Sequence, residues 1–245
     1  MSDTGETVQF YFDPMCPWAY EASKWIREVR RLRDISVDWR FFSLETINRE
    51  PGKKYPWERR WSYGWSMMRI AAYLRRQEPA LVDTWYATNG RAFFEQGERV
   101  FTESGAADIL ERIGVDPQVV EIAISDPATT EDVRADHEYL ATKHGGHGVP
   151  TLVFDDGQAL FGPVLTTAPH GDDALALWEL VGLYRRFPRL YELRRPKTTT
   201  DMEHVESFLA RYLNTRAWRT VQQDPDQATS RHAPPSSRCE LAHDD

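Results

Sequence analysis

Cysteine is nearly absent from this chain: of 245 residues only Cys16 and Cys239 carry a thiol, which is too few for a disulfide framework. No apolar run approaches the roughly 20 residues of a membrane span. The opening Met-Ser-Asp-Thr-Gly-Glu is polar and acidic and lacks the apolar segment of a secretory signal, so the expected compartment is the cytoplasm. A glycine-rich phosphate loop is missing, which predicts no bound NAD or ATP. Basic excess is missing too: a net charge of −8 argues against nucleic-acid or anionic-membrane partners. His137, His144 and His147 lack the spacing and thiolate neighbours of a zinc site, so they are read as exposed or turn histidines and no metal is expected.

What is present is organised around residues 10–20, Phe-Tyr-Phe-Asp-Pro-Met-Cys-Pro-Trp-Ala-Tyr. Val8–Phe12 is β-branched and aromatic, and Asp13-Pro14 closes it with a turn signal. Pro17 suits the first turn of a helix, and Trp18, Ala22, Trp25, Ile26 and Val29 recur at helical spacing. Cys16 is therefore predicted at a helix N-terminus. Free backbone N–H groups and the helix dipole favour negative charge there, so the thiol is expected to ionise below its usual pKa of about 8.5. Thiolate is the reactive form, which makes Cys16 the candidate nucleophile.

In chain order, the first strand is followed by a helix from Pro17 to about Leu32 and a second strand over Val37–Leu44, a βαβ unit with parallel strands. Residues 50–56 form a loop, and the pattern is then helical to Gly145-Gly146, with later helix starts at Asp116-Pro117 and near Thr130. A hairpin follows, Thr151–Phe154 and Ala159–Phe161 about Asp155-Asp156-Gly157, and then helices over Gly171–Arg186 and Asp201–Trp218. The expected division is a core domain over 7–48 and 146–220, a helical insertion over 49–145, and a disordered tail over 222–245 that contains Cys239. The tail could carry Cys239 back to Cys16, but nothing in the sequence argues for that bridge. No internal repeat interrupts the folded part.

Cys16-Pro17-Trp18-Ala19 resembles the thioredoxin-like active site, where Cys-x-x-Cys opens the first long helix, and His147–Phe154 looks like the cis-proline loop and strand of that fold. The element order resembles the DsbA type of this α/β fold, with a helical domain inserted after the first βαβ unit. The departure is Ala19, which stands where the resolving cysteine would be. Phe10–Trp18, Phe161–Leu165, Leu177-Trp178 and Tyr191–Thr198 together resemble the actinobacterial mycothiol-dependent nitroreductase family. That resemblance implies a cytoplasmic reductase using mycothiol or another low-molecular-weight thiol as co-substrate, with no tightly bound cofactor, acting on disulfide or nitroaromatic substrates. A homodimer is compatible with it. Cys16 would be the nucleophile, Pro17 and Trp18 would shape its helix end, and Val149 and Pro150 would face it across the thiol site.

Asn48 follows the second strand in a loop and is the best polar candidate for the same site, with Trp57, Trp61, Tyr63 and Trp65 as aromatic candidates beyond it. His147, Glu21 and Lys24 are placed where they could tune the Cys16 thiol, and the basic run from Arg185 to Lys197 reads as solvated surface. Two other functions fit the sequence. One is an enzyme of the glutathione-transferase-kappa or 2-hydroxychromene-2-carboxylate-isomerase type, which carries Ser-Pro-aromatic at this position. The other is a non-catalytic thioredoxin-like binding module.

Overall fold

The computed structural model describes residues 5–223, apart from the side chains of Arg211 and of residues 215–223. Of the expected disordered tail over 222–245, residues 224–245, with Cys239, lie outside the described residues, whereas 222 and 223 end the last helix. Four strands form one sheet in the order β2-β1-β3-β4. β1 (Glu6–Phe12) is central, parallel to β2 (Ile35–Phe41) and antiparallel to β3 (Thr151–Phe154), which pairs in turn with β4 (Ala159–Phe161). The last three residues of β1, Phe10, Tyr11 and Phe12, are all buried. The register sets Phe10 beside Trp39 and Leu152, and Phe12 beside Phe41.

α1 (Pro17–Leu32) connects β1 to β2 and buries Ala22, Trp25, Ile26 and Val29, the stripe its spacing predicts. Trp25 donates its indole N–H to the Ala174 carbonyl at 3.0 Å and packs its ring on Trp178, fixing α1 against α8 (Gly171–Arg185). Between β2 and β3 run the short α2 (Leu44–Ile47), then α3 (Tyr63–Gln77), α4 (Ala80–Gly90), α5 (Glu103–Arg112), α6 (Val119–Ser125) and α7 (Pro127–Glu138). α4 and α7 each run on into a single π-turn, Arg91–Glu95 and Tyr139–Lys143. The chain is an α/β protein of the thioredoxin-like, DsbA-type class.

Several element ends differ from expectation. β2 stops at Phe41 rather than Leu44, because the Ser43 hydroxyl accepts the Thr46 N–H and starts α2. α7 starts at Pro127, not near Thr130, because the Asp126 carboxylate caps the Ala128 N–H. Asp116-Pro117 opens a turn, Asp116 accepting from Gln118 N–H, and α6 begins only at Val119. The last helix, α9 (Thr199–Gln223), is longer than Asp201–Trp218. Thr198 and Asp201 cap each other reciprocally at its start, a Thr-x-x-Asp box that the apolar periodicity does not mark.

Candidate active site

Cys16 is the N-cap of α1, with extended backbone and Pro17 in the first turn. The Ala19 N–H donates to its Sγ at 3.5 Å, and the thiol donates to the Val149 carbonyl, also at 3.5 Å. The Val149–Pro150 peptide is cis, and Val149 and Pro150 are buried beside the thiol. The sequence-distant loop is held in place from both sides. Thr151 Oγ1 donates to the Gly148 carbonyl at 2.8 Å, and Gly162 N–H donates to the Pro150 carbonyl at 2.8 Å.

The expected easy ionisation of Cys16 is not what this arrangement gives. Cys16 is only 3% exposed, and burial pushes its thiol from 9.0 up to about 12. The Ala19 N–H pulls it back, the Asp13 carboxylate pushes it up again, and the Trp18 N–H lowers it slightly. The helix end does act in the predicted direction, but loss of hydration is the larger effect. At neutral pH the buried thiol is protonated, in keeping with its S–H bond to Val149.

Asp13, which the sequence marks only as a turn residue, is the principal member of the site that sequence reasoning missed. Its carboxylate is buried, accepts the Met15 N–H at 2.9 Å and the Leu44 N–H at 2.8 Å, and its backbone carbonyl accepts the Cys16 N–H at 2.9 Å. One residue therefore ties the cysteine loop to the start of α2. Burial raises the carboxyl from 3.8 to about 6, against the pull of those two N–H groups. Gly64, in the first turn of α3, completes the enclosure: a Cβ there would stand 2.8 Å from Asp13 Oδ1. The one available signal was Asp-Pro three residues before a cysteine, which reads equally well as a plain turn. Tyr86 of α4 also belongs to this buried set. Its ring stacks on Phe12 at 4.0 Å, and burial, followed by the fields of Cys16 and Asp13, raises its hydroxyl well above the ordinary value.

The other candidates divide. Trp18 is half-buried beside the thiol and packs on Phe208 of α9 at 5.0 Å. Asn48 is exposed and donates its amide to the Leu44 carbonyl at 2.9 Å, closing its own helix turn rather than joining Cys16. Trp65 is core, Trp57 packs on it, Trp61 donates to the Phe101 carbonyl at 2.8 Å, and Tyr63 packs on the Phe101 ring. His137 is not an exposed or turn histidine: it is buried, accepts the Ser43 N–H on Nδ1 and packs on Phe42, and burial lowers its pKa. His147 is exposed and packs on Phe161, while Glu21 is buried and accepts the Ala168 N–H at 3.0 Å. Lys24 bridges Glu21 and Glu95. Among the described residues no group of three His, Cys, Asp or Glu could hold a metal ion, and no helix is long and apolar enough to cross a membrane.

Comparison with known proteins adds the family. The chain is 49% identical over 215 residues to the uncharacterised protein Rv2286c of Mycobacterium tuberculosis, covering 88% of this chain and 93% of that one. Among solved structures it is similar to 2-hydroxychromene-2-carboxylate isomerase, with a TM-score of 0.54, 19% identity, and 75% of this chain and 96% of that chain covered. It is also similar to the probable DsbA oxidoreductase SCO1869 of Streptomyces coelicolor, with a TM-score of 0.53, 18% identity, and 79% and 93% covered. Likenesses at that identity speak to the fold alone. Residues 15–195, from the loop before Cys16 into the segment between α8 and α9, match the family described as Rv2466c-like, mycothiol-dependent nitroreductase Rv2466c, and the chain belongs to that family.

Proposed function

We propose that this thiol-dependent oxidoreductase works through the single sulfur of Cys16, with mycothiol as its electron donor, in the cytoplasm. The Cys16 thiolate attacks one sulfur of a mixed disulfide between mycothiol and a substrate, forming a Cys16–mycothiol disulfide and releasing the substrate thiolate. A second mycothiol thiolate then attacks the mycothiol sulfur of that adduct, freeing Cys16 and leaving mycothiol disulfide. The substrate sulfur leaves as a thiol and the one incoming mycothiol is oxidised into mycothiol disulfide, so no second protein cysteine is needed. Nitroaromatic compounds are the other substrate class that fits the family. The observation that carries the reading is the placement of Cys16 at the N-cap of α1, opposite the Val149–Pro150 turn, in a chain of this family.

The Cys16 domain is proposed to comprise residues 7–48 and 146–220, with 49–145 as the insertion beside it. Pro17, Trp18, Val149 and Pro150 form the walls against which the small thiol lies. The test is intact-mass and peptide analysis after incubation with mycothiol disulfide, together with turnover of a mycothiol-linked disulfide. The expected result is one mycothiol adduct, on Cys16, and loss of turnover in Cys16→Ser. Full turnover in Cys16→Ser would overturn it.

The protonated thiol favours a second reading, in which Cys16 acts as a neutral hydrogen-bond donor to a bound thiolate, as an alcohol would. In that case Cys16→Ser retains activity toward an isomerisable or conjugable substrate and no adduct forms. A binding module without chemistry would show ligand binding and turnover of neither kind.

A further inference from the structure

α9 lies outside the residues that match the family, and its described side chains make three contacts with segments that neighbour Cys16 in the chain or pack on α1. Phe208 packs on Trp18, two residues after the cysteine, with ring centroids 5.0 Å apart. Tyr212 packs on Phe93 and Phe94 of the π-turn that ends α4, and Phe94 in turn stacks at 5.2 Å on Tyr20, four residues after the cysteine. His204 Nε2 is 2.9 Å from the Thr166 hydroxyl, in the loop after β4 whose Ala168 N–H is held by Glu21 of α1.

Val205, Phe208, Leu209 and Tyr212 are half-buried at the i, i+3, i+4, i+7 spacing of one helix face, whereas Glu203, Glu206 and Ser207 are exposed. This face is thin: its partners Trp18, Phe94 and Thr166 are only partly buried, and Phe93 is the one fully buried side chain named against it. The chain reaches α9 through residues 191–198, which are exposed and have no regular structure. An element fastened by a few half-buried contacts and led in by an exposed segment belongs to the low-stability end of a fold. The cleft of about 330 Å³ lined by Gln9, Tyr11, Arg40, Asp136 and Tyr139 has neither Cys16 nor Trp18 in its wall, so it offers the thiol no route to solvent.

We propose that α9 is a displaceable cover over Cys16, seated by Phe208 on Trp18, by Tyr212 on the π-turn and by His204 on Thr166, and that thiol chemistry waits on its undocking. The regulatory meaning of the cover rests on the reading of Cys16 as the reacting thiol, but the covering does not. Burial is the largest cause of the raised Cys16 pKa, so undocking would uncover the sulfur and favour its ionisation together.

The experiment is iodoacetamide alkylation of the full chain at pH 7.5, read by peptide mass spectrometry so that Cys16 and Cys239 are counted separately. Phe208→Ala with Tyr212→Ala should speed Cys16 alkylation about tenfold or more, and His204→Ala severalfold, with the Cys239 rate and the tryptophan-detected unfolding midpoint unchanged. An unchanged Cys16 rate in both variants would overturn the cover. If the double variant lowers the unfolding midpoint, the His204→Ala rate decides in the same way. Faster alkylation without mycothiol-dependent turnover would support the cover while counting against the reductase reading.

Discussion

Replacing Asp13 by asparagine should turn a pH-dependent element of stability into a constant one. The carboxyl sits at about 6 in the folded chain and at the ordinary 3.8 when unfolded, so the folded state holds the proton more tightly. Between those values the native chain binds more protons than the unfolded chain, and stability therefore falls as pH rises. The contribution is fully present below 3.8 and is lost as pH climbs through 6. At about 1.36 kcal/mol per tenfold change in proton affinity, the span is about 3 kcal/mol. A carboxamide in the same place cannot titrate. Its oxygen can accept only one of the Met15 and Leu44 N–H groups, and its nitrogen faces the other, a loss of about 1–3 kcal/mol at every pH.

The expected outcome is that Asp13→Asn is clearly less stable than wild type near pH 4 and close to it near pH 7.5. Urea unfolding of both proteins at half-unit pH steps measures this, because subtracting the two curves cancels every other titrating group to first order. A difference that stays flat between pH 4 and 7.5 would refute the buried, proton-holding carboxyl. The same substitution removes a negative charge that opposes Cys16 ionisation, so the inflection of Cys16 alkylation with pH should move down.

Two further substitutions probe the frame and the chemistry. Gly90→Ala would drive a Cβ inside the surface of the buried Tyr20 ring and disturb its 2.8 Å bond to Glu95, so chemical denaturation should show a loss of about 1–3 kcal/mol, and a change under about 0.5 kcal/mol would contradict the packing of α4 on α1. Ala19→Cys places a second thiol three residues from Cys16, at the position whose backbone N–H already reaches the Cys16 sulfur at 3.5 Å. Under oxidation it should lose two hydrogens in mass and cease to take an external thiol, at a folding cost of about 1–3 kcal/mol for the filled position. Three free thiols after oxidation, that of Cys239 included, would show that the helix end does not bring those positions together.

The features legible in the sequence are those written locally. β1, α1 and the β3–β4 hairpin follow from the β-branched and aromatic run closed by Asp13-Pro14, from the Trp25-Ile26-Val29 spacing and from Asp-Asp-Gly, and the N-cap position of Cys16 follows from Pro17. What sequence could not supply is set by side chains far apart in the chain. Asp13 becomes a site residue only because Leu44 and Gly64 arrive beside it, and His137 becomes core only because Ser43 and Phe42 meet it, 94 and 95 residues away. Asn48 failed for the opposite reason: a local partner, the Leu44 carbonyl, satisfies its amide before any distant group can.

The thiol shows the limit most clearly. A helix end and the loss of water act on Cys16 in opposite directions, and a sequence displays the first but not the second. The two N–H groups at the start of α1 are fixed by backbone geometry and persist whether or not the site is covered. Dehydration lasts only while neighbouring side chains stay in place. The same cysteine can therefore be inert when enclosed and readily ionised when exposed, without any change in the strand, turn or helix that carries it. The reactivity inferred from residues 10–20 counted the helix end alone, and in the folded chain burial outweighs it.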